Sequence, residues 1–325
     1  MSTRRPPITL VVLVIALVAC LLPLGAGAQP ARDSAAARLF PHPVLVAIGE
    51  QHPFVFADPR FWRTKITHAR LNVGWDSMDD TLQNREVRTW LRAAHARGIV
   101  PLITFDQSHR PRRHQILPSV PAFAHEFRIF RKRYPWVKEF AAWNEANLCG
   151  EPTCHHVDRV VGYWRAIVHA CPGCRVLAAE VLDVPGMTAW VRQFIHIAHT
   201  QPAYWGVHNY LGANLLDDAS TRALMSVTRG QVWFTETAGL VHRRNHSTHK
   251  FPENVQHAAL VTRYLLTHLV FVSPRITRIY LYEWNAGSSR DVWDSGLIGY
   301  NQRARPAYSV LLKELRAPHT RLLTG

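Results

Sequence analysis

The amino-acid sequence predicts a single α/β domain, a (β/α)8 or TIM barrel. Short apolar runs rich in β-branched residues alternate eight times with longer amphipathic runs, a pattern typical of parallel strands joined by crossover helices. The short runs are apolar almost throughout, as expected for strands with helices on one face and packed side chains on the other. After the N-terminal segment about 280 residues remain, and this length suits one closed barrel.

Each element is predicted from a local residue pattern. The strands are predicted at residues 44–49, 69–74, 100–105, 140–143, 176–181, 204–209, 231–235 and 276–282. A short first helix is predicted after Asp58, whose side chain can cap a helix N-terminus. The other helices are predicted at residues 85–97, 120–134, 156–170, 187–199, 220–228, 252–272 and 307–316. Gly98 marks the end of the second helix, since glycine often follows a helix C-terminus.

An open, doubly wound sheet would show the same alternation of strands and helices. Members of that fold class commonly bind nucleotides through a glycine-rich loop, and no GxGxxG or Walker-type loop follows any predicted strand. The closed barrel is therefore preferred. The sequence shows no internal repeat and no second-domain boundary, so residues 41–325 are predicted to form the one barrel domain.

The first 40 residues are predicted to lie outside the barrel. Residues 1–28 have the pattern of a secretory signal peptide: a basic start at Arg4 and Arg5, an apolar core and a small-residue cleavage site. Residues 29–40 are interpreted as an Ala-rich linker. Two alternatives stay open, an uncleaved membrane anchor or a lipoprotein whose N-terminus is lipidated Cys20. Each interpretation predicts a secreted or cell-surface protein, in contact with a membrane only through its leader or that lipid.

Four cysteines remain after the leader, and an even number in an exported chain favours disulfides. Three pairings are possible in principle. Cys149 and Cys154 precede the helix predicted at residues 156–170, which at about 1.5 Å per residue is roughly 22 Å long. Cys171 and Cys174 follow that helix, so pairing across it would exceed the ~7 Å limit between Cα atoms. The predicted disulfides are therefore Cys149–Cys154 and Cys171–Cys174.

The chain is strongly basic, with 38 Lys and Arg against 23 Asp and Glu and a formal net charge of +15. Such a balance indicates affinity for acidic polymers, including nucleic acid, anionic lipid and acidic wall glycans. The basic residues, however, are mostly arginines scattered over the predicted helices, and no aromatic–basic nucleic-acid recognition module is present. We interpret the charge as a solvated basic surface and expect a monomer with no nucleic-acid partner.

Histidine is abundant, with 19 residues. His242, His246 and His249 share one loop, but their spacing matches no compact zinc signature and no carboxylate or thiolate accompanies them. We therefore expect no metal ion and no other cofactor, and we interpret this loop as solvated and lining the barrel mouth.

In a barrel of this kind, binding and catalytic groups gather where the carboxyl ends of the strands meet. Polar and aromatic residues recur at this end on successive predicted strands: Arg70 and Trp75 on the second, Asp106 on the third, Asn144 and Glu145 on the fourth, Glu180 on the fifth, His208 and Tyr210 on the sixth, Glu236 on the seventh, and Glu283 and Trp284 on the eighth. The fourth and seventh strands are on opposite sides of the barrel. Carboxylates there, with aromatic rings beside them, suit a polar, ring-shaped substrate.

Two short motifs carry a family resemblance. Ala-Trp-Asn-Glu at residues 142–145 and Phe-Thr-Glu at residues 234–236 resemble the strand-four and strand-seven motifs of the clan A retaining glycoside hydrolases. The resemblance implies that Glu145 is the general acid/base and that Glu236 is the nucleophile. Members of this superfamily usually have proline after the Asn-Glu pair, where this chain has Ala146.

The resemblance and the chemistry together suggest roles for neighbouring residues. Arg70 would keep Glu236 ionised. Asn144 would hydrogen-bond the 2-hydroxyl of the sugar, an interaction that strengthens in the transition state. Tyr210 or His208 would orient Glu236 through a hydrogen bond.

Three further residues complete the predicted substrate site. Trp284 would form its floor, and Trp75 and Asp106 would contact the substrate. Glu180 and Glu283 are additional carboxylates, and either could be the partner acid if the strand register slipped by one residue, because such a shift reverses the facing of every side chain. Glu180 is interpreted instead as a rim hydrogen-bonding group or an acid inside the barrel.

Cleavage of a glycosidic bond requires a proton donor and a second carboxylate that traps or stabilises the oxocarbenium-like centre. The sequence thus predicts a retaining hydrolase of a β-linked glycan or an α-L-arabinofuranoside, acting on a polysaccharide or oligosaccharide. The alternative is a catalytically inactive barrel that binds cell-wall polysaccharide. The presence of both Glu145 and Glu236 favours the enzyme, because binding alone requires neither.

Overall fold

The computed structural model describes residues 42–244, 250–318 and 320–325. The predicted leader and linker, Cys20, His246 and His249 lie outside these residues. Within the described residues, parallel strands alternate with helices in a (β/α)8 barrel, and the predicted fold class is confirmed. The barrel strands are β1 (Val44–Gly49), β2 (His68–Gly74), β3 (Val100–Asp106), β4 (Glu139–Ala141), β5 in two segments (Arg175–Leu177 and Glu180–Leu182), β6 (Tyr204–His208), β7 (Gln231–Thr237) and β8 (Ile276–Tyr282).

Nine α-helices lie in the described part of the chain. They are α1 (Pro59–Thr64), α2 (Thr81–Ala96), α3 (Val120–Arg133), α4 (Val157–Ala170), α5 (Met187–Ala198), α6 (Tyr210–Leu215), α7 (Ala219–Val227), α8 (Val255–Thr267) and α9 (Pro306–Leu315). Asp58 caps α1 by accepting a hydrogen bond from the Arg60 backbone N–H, as predicted. The predicted helix at residues 252–272 is shorter in the structure, because Asn254 caps its start by accepting from two backbone N–H groups.

The fifth strand differs from its prediction and closes the barrel. Residues 176–181 are predicted as one continuous strand, but Ala178 and Ala179 separate two segments. The first segment pairs with β4 and the second with β6. Between them, Ala178 N donates to Tyr204 O at 2.9 Å, and Gly206 N donates to Ala179 O at 2.9 Å. The strand therefore changes its hydrogen-bonding partner at the two alanines, and this links the two halves of the sheet.

Two apolar regions hold the barrel together. The larger one fills the space between the sheet and the surrounding helices. The smaller one lies on the opposite face of the strands and fills the barrel interior; its members are Ala47, Leu102, Ala141, Leu177, Trp233 and Tyr280. This double burial explains why the strand segments are apolar almost throughout.

Ion pairs close the amino-terminal end of the barrel. Glu139 is almost fully buried and accepts hydrogen bonds from Arg175 at 2.7 Å and from Arg278 at 2.6 Å. The Arg278 guanidinium also lies over the Trp233 ring, 3.9 Å from its centroid. A second cluster of polar side chains lies toward the opposite, carboxyl end of the barrel. None of the helices within the described ranges has the length and apolar character needed to cross a membrane.

Phe105 provides a test of the sheet–helix packing. It is 2% exposed, and its ring lies 5.3 Å from that of Phe123 and 5.8 Å from that of Phe127. We expect Phe105→Ala to lower the free energy of unfolding by about 3–5 kcal/mol, because the cavity cannot refill completely. Urea denaturation followed by circular dichroism measures this loss. The matched control is Phe54→Ala, at a ring that is 50% exposed and whose removal should cost less than about 1 kcal/mol. Equal losses for the two variants would contradict the packing described here.

Candidate active site

The two predicted acids meet at the carboxyl end of the barrel. Glu145 follows β4, and Glu236 is the second-last residue of β7. One carboxylate oxygen of each, together with a ring nitrogen of His208, lie within 4.8 Å of one another. The side chains are 20% and 16% exposed. Both acids therefore face one shared, solvent-accessible space rather than the outer helices.

The backbone turn at Glu145 aims this carboxylate. β4 ends at Ala141, earlier than predicted, and Glu145 lies in a turn with φ 41°, in the left-handed region. Such a conformation costs a residue with a Cβ atom about 1–2 kcal/mol, and residues of this kind cluster at functional sites. Neighbouring backbone hydrogen bonds hold the turn, from Ala146 N to Glu180 O at 2.9 Å and from Leu148 N to Glu145 O at 2.7 Å.

Arg70 lies beneath the two acids and hydrogen-bonds to several side chains of the site. Its side chain is fully buried, and it is the third of the seven residues of β2. Nη1 donates to Glu236 Oε2 at 2.7 Å, and Nη2 donates to Asn144 Oδ1 at 2.8 Å. The same guanidinium donates from Nε to Thr104 Oγ1 at 3.0 Å and from Nη2 to Glu180 Oε2 at 2.5 Å. The structure thus brings the predicted cation beside the predicted nucleophile, and its donors also fix the position of Asn144.

Glu180 lies under the two acids and is fully buried. Both of its oxygens accept from Arg70, and Oε1 also accepts from Thr104 Oγ1 at 3.0 Å. Burial alone raises the pKa of this carboxyl, but the Arg70 charge and His208 outweigh that effect and lower the pKa to about 2. Glu180 is therefore an ionised acid inside the barrel, consistent with the interpretation of it as an interior acid.

His208 bridges three carboxylates. Its Nδ1 lies 3.1 Å from Glu145 Oε1 and 3.9 Å from Glu236 Oε2, and its Nε2 lies 3.3 Å from Glu180 Oε2. Burial lowers the pKa of the ring, but Glu236, Glu145 and Glu180 raise it more strongly, to about 10. The ring is therefore a positively charged imidazolium near neutral pH. Its Nδ1 lies closer to Glu145 than to Glu236.

Tyr210 orients Glu236. Its hydroxyl donates to Glu236 Oε1 at 3.0 Å. Burial and the Glu236 charge raise the pKa of this phenol well above its ordinary value, so it stays protonated and remains a donor. The two oxygens of Glu236 thus have separate donors, Arg70 on one side and Tyr210 on the other.

A cavity of about 960 Å³ opens above these groups. Glu145, Glu236 and Tyr210 line it, and so do two aromatic residues that the sequence did not single out, Tyr282 and Trp293. Trp293 packs edge-on against Tyr210, with ring centroids 4.8 Å apart. It belongs to a short antiparallel ribbon, Trp293–Asp294 with His242–Arg243, which joins the loops that follow β7 and β8. No periodic pattern marks such a loop residue in the sequence.

The structure places Trp284, the predicted floor of the substrate site, among the packed residues of the core. This residue is fully buried and does not line the cavity. Its ring packs edge-on against Phe61 and Tyr308, and its Nε1 donates to Asp58 Oδ2 at 2.9 Å. The physical reason is that β8 ends at Tyr282, so the alternation of side-chain facing cannot be extended to a residue two positions further on.

Trp75 and Asp106 do not line this cavity either. Trp75 is buried within the large apolar region between the sheet and the helices. Asp106 is buried, and its Oδ2 accepts a hydrogen bond from Asn72 Nδ2 at 2.7 Å. It also lies beside Glu151, whose pKa is raised to about 9 by burial and by the negative charge of Asp106. Their position therefore does not support the predicted contact with substrate.

The four cysteines lie together in the pairs that were predicted. The Cα atoms of Cys149 and Cys154 are 4.9 Å apart, and those of Cys171 and Cys174 are 5.5 Å apart. The first pair closes a loop that begins at Cys149, four residues after Glu145. Leu148, which directly precedes this loop, lines the cavity. This pairing restrains one wall of the site.

Glu145, His208 and Glu236 are the one group at the barrel mouth, within the described residues, whose spacing could hold a metal ion. Two positively charged side chains of the protein already contact these carboxylates. Arg70 lies 2.7 Å from Glu236, and protonated His208 lies 3.1 Å from Glu145. A divalent ion would have to compete with both charges, so the donor set fits acid–base chemistry better than metal binding.

Comparison with known proteins supports the fold assignment. No family model and no curated protein matches the chain. Among solved structures, it is similar to a monomeric β-xylosidase from Caulobacter crescentus CB15, with 17% identity, a TM-score of 0.59, and 86% of this chain and 70% of that one covered. It is also similar to a psychrophilic family 10 endo-β-1,4-xylanase, with 12% identity, a TM-score of 0.60 and coverage of 86% and 98%.

A third similar structure is a family 39 glycoside hydrolase from the gut symbiont Bacteroides cellulosilyticus WH2. Its identity is 14%, its TM-score is 0.56, and 84% of this chain is covered, which spans 63% of that enzyme's length. Identities this low show the fold alone. The chain therefore shares its barrel fold with these glycoside hydrolases.

The buried charges predict how stability depends on pH. The pKa of His208 is raised from 6.5 to about 10 in the folded protein, so its stabilising contribution is complete below pH 6.5 and is lost as the pH rises to about 10. We expect the difference in free energy of unfolding between wild type and His208→Asn to shrink over this interval, by on the order of 2 kcal/mol. Urea denaturation at several pH values measures it. Exposed His114, changed to Asn, is the control; a difference for His208→Asn that does not vary with pH would refute a buried imidazolium.

Proposed function

We propose that the chain is an exported retaining glycoside hydrolase in which Glu145 is the general acid/base and Glu236 is the nucleophile. The observation that carries this proposal is the approach of the two carboxylates, within 4.8 Å, at the ends of two opposite barrel strands. Retaining enzymes hold their carboxyls about 5–5.5 Å apart, whereas inverting enzymes need about 6.5–9.5 Å to admit a water molecule. The spacing here therefore favours the retaining mechanism.

In the first step Glu236 attacks the anomeric carbon and forms a glycosyl–enzyme ester. Arg70 and Tyr210 each donate a hydrogen bond to one of its oxygens, which limits rotation of the carboxylate. Preorganisation of this kind lowers the barrier, because the groups need not reorient while charge develops.

The proton for the leaving oxygen comes from the Glu145–His208 pair, whose atoms are 3.1 Å apart. One proton shared by this pair gives the cluster of Arg70, His208, Glu145, Glu180 and Glu236 a net charge of about −1 by simple counting. That charge complements the positive oxocarbenium-like centre. Glu145 donates the proton as the glycosidic bond breaks, and in the second step it removes a proton from the water that hydrolyses the ester.

Asn144 and the aromatic residues contribute to sugar binding. Because Asn144 Oδ1 accepts from Arg70, its amide N–H₂ is the group left to donate to a sugar hydroxyl, which is the role that the resemblance implies. Tyr282 and Trp293 line the cavity and offer flat faces on which a pyranose ring can stack.

The substrate that we propose is a β-linked polysaccharide or oligosaccharide. Solved structures similar to this chain include a β-xylosidase, an endo-β-1,4-xylanase and a β-1,4-mannanase. An α-L-arabinofuranoside is the second linkage to test. Export is supported by the leader pattern of residues 1–28 and by the two cysteine pairs; a monomer without cofactor remains our expectation.

A panel of aryl glycosides and wall polysaccharides tests the activity. We expect the wild type to hydrolyse at least one of them and Glu145→Ala and Glu236→Ala to lose about 10²–10⁴-fold in kcat, because each removes one of the two reacting carboxylates. Azide should restore turnover of Glu236→Ala and yield a glycosyl azide of inverted configuration, identified by NMR. Glu314→Ala, in α9 and far from the cavity, is the matched control.

Two outcomes would reject the proposal. Hydrolysis that survives both substitutions would assign the chemistry to other residues. A wild type that binds wall polysaccharide without cleaving any member of the panel would favour the catalytically inactive barrel instead.

A further inference from the structure

Glu283 is a carboxyl group in the cavity for which the proposed mechanism has no use. It directly follows β8 and lines the same space as Glu145 and Glu236. Its backbone carbonyl accepts from Leu297 N at 3.0 Å. Among the described residues, no hydrogen bond or ion pair engages the carboxyl itself. A group of this kind, half-buried and facing a cavity, is available to a ligand.

The charges around Glu283 are mainly negative. Four acids, from the ends of β1 and β7 and from the loop after β8, act on its charge; they are Glu50, Glu236, Asp291 and Asp294. Burial, followed by these charges, raises the pKa of Glu283 to about 9. A raised pKa means that the carboxyl stays protonated below that pH, so near neutral pH it is a neutral acid.

The nearby cations are engaged elsewhere. Arg305 forms two hydrogen bonds with Asp294, at 2.5 and 2.7 Å. Arg70 donates hydrogen bonds to Glu180 and Glu236. Arg243, which also lines the cavity, forms an ion pair with Glu253 at 2.8 Å. Within the described ranges, the salt bridges of Arg70, Arg243 and Arg305 are with other carboxylates.

We propose, on the basis of the proposed hydrolase function, that Glu283 is a specificity-determining residue whose cavity-facing carboxyl selects an uncharged, hydroxyl-rich sugar beside Glu236. A neutral carboxyl can donate through its O–H and accept through its carbonyl oxygen, whereas a carboxylate only accepts. It can therefore satisfy one or two sugar hydroxyls at once. A sugar that lacks the contacted hydroxyl leaves the carboxyl unpaired, which is the kind of mismatch that sites built on hydrogen bonds reject strongly. A uronic acid would be repelled by the surrounding acids.

The backbone of this segment is held without the Glu283 side chain. Asn285 N donates to Glu50 Oε2 at 3.1 Å, and Ile298 N donates to Trp284 O at 2.9 Å. Trp284 itself is fully buried. Substitution of the Glu283 side chain should therefore leave the fold intact, which thermal unfolding of each variant verifies.

Glu283→Ala and Glu283→Gln test the inference on the aryl glycoside that the wild type cleaves fastest. We expect Glu283→Ala to lower kcat/KM by about 10–100-fold, because both hydrogen-bonding atoms are removed. Glu283→Gln should lose much less, at most about 5-fold, because an amide keeps one donor and one acceptor without a charge. Glu314→Ala and Glu314→Gln are the matched controls.

Monodeoxy derivatives of the same aryl glycoside locate the contact. For the derivative that lacks the hydroxyl bound by Glu283, the loss caused by Glu283→Ala should disappear, while it persists for the others. The inference is overturned if Glu283→Ala stays within twofold of wild type, or if its loss is the same for every derivative. It is also overturned if Glu283→Gln is as impaired as Glu283→Ala, which would indicate an ionised carboxylate and a cationic sugar. These outcomes leave the proposed function standing, whereas a wild type inactive on the whole panel rejects both.

Discussion

The arrangement of the site depends on the burial of one guanidinium group, that of Arg70 within β2. An uncompensated charge there would cost on the order of several kcal/mol, because a protein interior solvates ions poorly. Glu180 and Glu236 supply the compensating charges, and Asn144 supplies a further acceptor. Since the donors of a guanidinium point in fixed directions in one plane, the same group also sets the positions of these three side chains.

The barrel makes this arrangement rigid. The charged cluster takes side chains from β2, the second segment of β5, β6 and β7, so its geometry is as well defined as the register of the strands. His208 and Glu236, for example, are register partners in adjacent strands. The apolar interior layer and the ion pairs around Glu139 support the cluster from below. Strand residues provide most of the charged groups of the cluster, and loop residues, including Trp293, line the cavity above them.

The facing of a site residue follows from the sequence pattern when the residue lies on a strand, but not when it lies beyond the end of one. Arg70, His208 and Glu236 are strand residues, and their facing follows from the alternation along β2, β6 and β7. Trp284 and Trp293 follow the end of β8, where alternation no longer applies. The facing of a side chain beyond a strand depends on what it packs against, and Trp284 packs against Phe61 and Tyr308.

The sequence by itself determined the alternation of strands and helices, the acids at the ends of the fourth and seventh strands and the pairing of the cysteines, because these depend on local patterns and on distances along one helix. Only the tertiary structure decided the partners of each charge. Arg70 and Glu180 are 110 positions apart in the chain, and the neutral state of Glu283 depends on acids from three other segments. Such contacts are set by closure of the barrel, and no periodicity along the chain encodes them.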